Sequence, residues 1–155
     1  MRKPNAQAGN GSTDWTALCA EAAVGGLGAL AAVRNGALVR DPALRRLIKA
    51  VAAEAAAAAR SAGHRLSGRP QALAERLCRD APLRSHPWLS ALRAGHATGA
   101  GAVFGPLLNA ARRGGSPAPK LTVIAATLRR LERRPRRPGT RRPRRRRPQR
   151  DDMQP

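Results

Sequence analysis

Apolar positions along this chain recur at intervals of three and four residues, interrupted by glycine and proline, and nowhere alternate in the two-residue rhythm of a strand. Ser12, Thr13 or Asp14 can accept the first free N–H groups of a helix, which is predicted to run to about Val33 with Leu18, Ala22, Leu27 and Leu30 on one apolar face. Gly25, Gly26 and Gly28 weaken that helix and imply that another backbone comes close. Asn35-Gly36 alone is a hairpin signal. Helix formers on both sides instead place the pair where a helix needs a left-handed residue to close its last carbonyls. Asp41-Pro42 then supplies an N-cap and a first helical residue.

The next helix, 42–62, sets Leu44, Leu47, Ile48, Val51, Ala55 and Ala58 on one face and closes at Gly63. Further helices are predicted over 69–79, with Leu73, Leu77 and Cys78 inward, over 87–94, over 98–113, and over 120–133, where Leu121, Ile124 and Leu128 share a face. SPAP at 116–119 is an extended turn, because each proline bars its predecessor from the helical region. The fold class is therefore all-α: about five or six helices over residues 14–133, between a disordered lead-in (1–13) and a disordered Arg/Pro-rich tail (134–155).

Aromatic residues are 2% of the chain, with no Tyr, one Phe (Phe104) and two Trp (Trp15 and Trp88), so the core is built from small aliphatic side chains and its helices pack closely. The net charge is +21, from 30 basic and 9 acidic residues. Such an excess of Arg beside Ala, Gly and Pro reflects either selection for phosphate binding or a GC-rich coding sequence. The tail carries 11 Arg in residues 133–150, and without residues 133–155 the chain still has a charge of +12. Closely spaced guanidinium groups neutralise phosphates and release counterions, which makes nonspecific, salt-sensitive nucleic-acid binding the alternative function. A solvated, biased extension is the other reading, and no aromatic residues interleave the tail to stack bases.

Cys19 and Cys78 have no CxxC or Cys/His neighbours and read as buried or incidental thiols in a reducing compartment, so the expected localisation is cytoplasmic. No apolar segment follows the basic start, as a secretory signal would require. Residues 15–33 contain Glu21 and read as a buried amphipathic helix, with no membrane partner. GHATGAG at 95–101 imitates a dinucleotide loop but follows a helical segment where a strand is needed. His64, His86 and His96 stand apart from one another and from carboxylates, as surface or loop residues without metal-ligand spacing. Ser85 and Ser90 have no base partner, and no catalytic set is visible.

The order of these signals is more specific than any one of them. Trp15, Asn35-Gly36, Asp41-Pro42, Glu54 and Gly63, followed by Leu89, Gly95, Thr98, Gly105, Gly115 and Pro119, resemble the C-terminal helical domain of ketopantoate reductase (2-dehydropantoate 2-reductase) over about residues 14–133. The resemblance implies a substrate-binding and dimerisation domain of an enzyme that reduces ketopantoate to pantoate with NADPH, in a cleft shared with a Rossmann domain. It also implies loss of function, since the family's catalytic Lys and Glu positions hold Ala17 and Gly99. The substrate-side Asn positions hold Glu21 and Gly25, the Ser position Pro87 and the Asp position Ala91, leaving Asn35 as the substrate-binding candidate. No GxGxxG unit precedes Trp15, so no cofactor is expected to bind this chain alone. The implied partner is a Rossmann-domain chain or a second copy; a decayed product without a selected role is the remaining reading.

Overall fold

In the computed structural model, which describes residues 13–134, Asp14 starts the first helix. Its Oδ1 accepts the N–H groups of Thr16 and Ala17 at 3.0 and 3.2 Å, which selects it among the candidate caps. The expectations for the lead-in before residue 13 and for the tail beyond 134 lie outside the described residues. Seven helices follow in order: α1 (Trp15–Ala31), α2 (Asn35–Arg40), α3 (Pro42–Ser61), α4 (Pro70–Asp80), α5 (Pro87–Ala94), α6 (Gly101–Gly114) and α7 (Pro119–Glu132). There is no strand among the described residues, so the all-α expectation holds, with one helix more than foreseen.

The extra helix is α2, and it changes the role of Asn35-Gly36. The left-handed residue that ends α1 is Ala32, at φ 55°, and its N–H bonds back to the Gly28 carbonyl. Asn35 and Gly36 open α2 instead, donating their N–H groups to the carbonyls of Arg84 (2.8 Å) and Pro82 (2.9 Å). A Cβ on Gly36 would meet the Pro82 carbonyl oxygen at 2.9 Å, so the glycine is required by the neighbouring loop and not by a positive φ.

α1 is the central helix, packed against all six others. It is buried along most of its circumference from Thr16 to Ala29, so it is not the amphipathic helix that the sequence suggested. Its glycines admit side chains, not a second backbone: Gly25 lies under His86 and Trp88, and Gly26 under Ile124 and Phe104. Besides Gly36, close backbone approach falls at Gly114, where a Cβ would stand 2.5 Å from the Ser61 carbonyl carbon.

α3 runs across α1 and turns Ile48, Val51, Ala52, Ala55 and Ala59 inward. Leu47, expected on that face, is 45% exposed because the buried stripe is centred on Ile48 and Ala52. On α4 the buried residues are Pro70, Ala74, Glu75 and Cys78, and Leu77 is 40% exposed. α6 begins at Gly101 and not at 98, since Thr98 Oγ1 takes the Ala100 N–H and Gly99 has φ +76°. Among the described residues no helix is long and apolar enough to cross a membrane.

Candidate functional site

α4 and the N-terminal half of α1 flank a groove of about 730 Å³. Its shape depends on Thr16, a buried hydroxyl whose Oγ1 accepts the N–H groups of Ser67 (2.8 Å) and Gly68 (3.2 Å). Those bonds hold the 64–69 loop against α1, and His64 adds a stacked contact on Trp15 with ring centroids 3.7 Å apart. Ala17 and Glu21, one helical turn apart, line one wall. Arg69, Ala72, Leu73, Arg76 and Leu77 line the other.

Glu21 is oriented from beneath. Its Oε1 lies 2.8 Å from Nε2 of His86, a buried residue, while its own side chain is 42% exposed at the groove. His86 also caps α5, with Nδ1 accepting the Trp88 N–H at 3.3 Å. A ring nitrogen that accepts carries no proton, so the proton sits on Nε2 and is donated to Glu21 Oε1. Both nitrogens are engaged, and His86 therefore has no free lone pair for base catalysis. The isolated, carboxylate-free histidine expected at 86 is thus the buried half of a hydrogen-bonded His–Glu pair. The signal in the sequence was weak: His86 directly precedes Pro87 at a helix start, which is a capping position.

The other candidate positions are dispersed. Gly25 is buried below the edge-on pair of His86 and Trp88, whose ring centroids are 4.6 Å apart. Pro87 opens α5 and Ala91 lies on the same helix. Thr98 donates its N–H (2.8 Å) and its hydroxyl to Glu132 at the end of α7, which fixes the turn containing Gly99. Asn35 does not line the groove, and neither does Gly99; the structure brings Ala17 and Glu21 together and leaves these two elsewhere. Asn35 Oδ1 is buried and accepts no hydrogen bond from a described residue.

The remaining glutamates are structural ties that the sequence analysis missed. Glu54 on α3, buried in an alanine run, accepts the Leu121 N–H (2.9 Å) and the Lys120 ammonium (3.1 Å), so it caps α7 across the bundle. Glu75 holds Arg45, Lys49 and Arg79, joining α4 to α3. The Arg45 hydrogen bond and charge, with help from Arg79 and Lys49, outweigh burial and lower the Glu75 pKa to about 2. A lone acid in a long apolar or basic run was the available signal. Burial raises the thiol pKa of Cys19 to about 12 and of Cys78 to about 11, and both cysteines are free. Among the described residues no three His, Cys, Asp or Glu side chains gather into a metal site.

The family profile described as "Ketopantoate reductase PanE/ApbA C terminal" matches residues 12–132. Among solved structures, a PanE/ApbA family ketopantoate reductase from Ralstonia eutropha JMP134 is similar, with a TM-score of 0.69 and 24% identity. The likeness covers 76% of this chain and 40% of that one, so this chain spans about two fifths of the length of that reductase. No curated protein matches the chain.

Proposed function

The chain belongs to the ketopantoate reductase C-terminal family, and from that premise we propose that it is a diverged substrate-side domain that does not reduce ketopantoate alone. The observation that carries this reading is Ala17 on the groove wall, at the position where the resemblance puts the family's catalytic lysine. Hydride addition to a 2-oxo group leaves an alkoxide that needs a proton donor beside it, and a methyl group gives none. The acids on this wall are engaged elsewhere: Asp14 Oδ1 caps α1, and Glu21 Oε1 accepts from His86 Nε2–H.

The match falls on a C-terminal domain only. Hydride chemistry then requires a nucleotide-binding unit from outside these 155 residues, on a partner chain or on a longer polypeptide. NADPH is the cofactor that the family resemblance implies for such a unit. Asn35 lies away from this groove, so a substrate-side role for it belongs to a surface that the nucleotide-binding unit would complete; its buried Oδ1 is left for a donor that the described residues do not supply. Purified chain mixed with NADPH and ketopantoate is expected to leave the NADPH absorbance at the buffer rate. Turnover by the chain alone would overturn the reading.

A second reading rests on the end of α7. Arg129, Arg130, Arg133 and Arg134 surround a concavity of about 520 Å³, and no described carboxylate forms an ion pair with any of them. They lead into the Arg-rich residues of the tail, so sequence-blind binding to duplex DNA is expected to fall steeply with salt and to vanish when residues 133–155 are deleted. Binding that survives the deletion unchanged removes the tail from this role.

A further inference from the structure

The α1–α4 groove holds both signs of charge without pairing them. Glu21 faces it as a carboxylate that His86 fixes in place, and Asp14, on the same wall, has its Oδ1 taken up by the Thr16 and Ala17 N–H groups. Arg69 and Arg76 line the opposite wall, and neither forms an ion pair with a described carboxylate. Between them Leu73 and Leu77 supply an apolar strip, and Leu77 is one of the few large apolar side chains of the described residues left substantially exposed.

We propose that this groove binds a neutral amino acid with an apolar side chain, its ammonium group at Glu21, its carboxylate at Arg69 and Arg76, and its side chain over Leu73 and Leu77. The inference rests on the reading of this groove as the ligand side of the domain and names the ligand class. A fixed carboxylate disfavours a ligand that is only an anion, because like charges brought together in a groove repel and each loses water. A ligand carrying its own cation relieves that repulsion. The guanidinium groups take the carboxylate, in the forked geometry that favours planar anions. Ala17 contributes space at this wall, where a longer cationic side chain would neutralise Glu21 and remove the preference.

The test uses the full chain, labelled with nitrogen-15, and three matched probes: L-leucine, isopentylammonium chloride (leucine without its carboxylate) and 4-methylpentanoate (leucine without its ammonium group). The expected result is saturable amide shifts at residues 16–21 and 68–77, with leucine bound at least about tenfold more tightly than either half-ligand. Glu21→Gln is expected to erase the advantage over 4-methylpentanoate, and Arg76→Gln the advantage over isopentylammonium. Two variants on different helices keep the test valid if one fails to fold. Equal or tighter binding of 4-methylpentanoate overturns the proposal, as do shifts that avoid the groove or variants that leave all three affinities unchanged. Ketopantoate titrated in parallel separates the two failures. Groove shifts with ketopantoate but not leucine overturn the ligand class and keep the ligand-side reading, whereas silence from both overturns each.

Discussion

One ring of His86 joins two helices: Nε2 stands 2.8 Å from Glu21 Oε1 on α1, while Nδ1 accepts the backbone N–H of Trp88 on α5. The two bonds are separable by substitution. Asparagine is a strong N-cap but its amide falls short of Glu21, and alanine supplies neither bond. His86→Asn and His86→Ala both leave a hole beside Gly25, so the difference between them isolates the cap. His86→Ala is expected to be less stable than His86→Asn by about 1 kcal/mol in urea unfolding. Equal stability would show that the cap contributes nothing.

Gly25 and Gly28 lie on the same helix and call for opposite outcomes. A Cβ at Gly25 would stand 2.7 Å from His86 Cε1 and from the Trp88 ring, both held in the core, whereas at Gly28 its nearest neighbour is Leu38 Cδ1 at 3.6 Å. Gly25→Ala is expected to destabilise by about 1–3 kcal/mol through overpacking. Gly28→Ala is expected to stabilise by about 0.5–1 kcal/mol, since alanine is the better helix former and fits at ordinary contact distance. Chemical denaturation of both variants checks the signs.

The same glycines show how far the sequence could be read. Helix periods and the Asp14 and Asp41 caps are local signals, and they placed six of the seven helices to within a few residues. α2 was invisible because its reason is distant: Asn35 and Gly36 donate to Arg84 and Pro82, a loop nearly fifty residues on. Leu47 and Leu77 were misplaced because a period gives a face only to within a residue, and tertiary ties such as Arg45–Glu75 decide which neighbour turns inward. The resemblance picked out Ala17 and Glu21, which do share a groove. It gave no view of His86, whose carboxylate lies 65 positions away. The few acids have a structural meaning: Glu21, Glu54, Glu75 and Glu132 each tie one part of the bundle to another.

Cys19 and Cys78 are both fully buried, and burial holds their pKa values at about 12 and about 11. The thiolate is the reactive form, so neither is expected to react with a disulfide reagent in the folded chain at about pH 8. Both are expected to react promptly in denaturant. Fast labelling of either thiol under native conditions would show that the core around α1 or α4 opens.

Glu75 ties three cations, Arg45 at 2.5 Å, Arg79 at 3.0 Å and Lys49 at 3.5 Å, and is itself buried. These partners lower its pKa from an ordinary 4.5 to about 2. A depressed folded pKa means that the unfolded chain takes up the proton first as pH falls. The contribution of Glu75 to stability is therefore complete above about pH 4.5, shrinks as the unfolded carboxylate protonates below that, and is lost once pH passes through about 2. Glu75→Gln keeps the shape and removes the titration. The stability gap between the native chain and this variant is expected to be largest near neutrality and to narrow steadily between about pH 4.5 and about pH 2 in urea unfolding. The direction distinguishes this tie from one through a histidine or lysine, whose contribution would fade as pH rises. A gap that stays constant across that window, or widens in acid, would show that the Arg45–Glu75–Arg79 cluster does not hold α4 to α3.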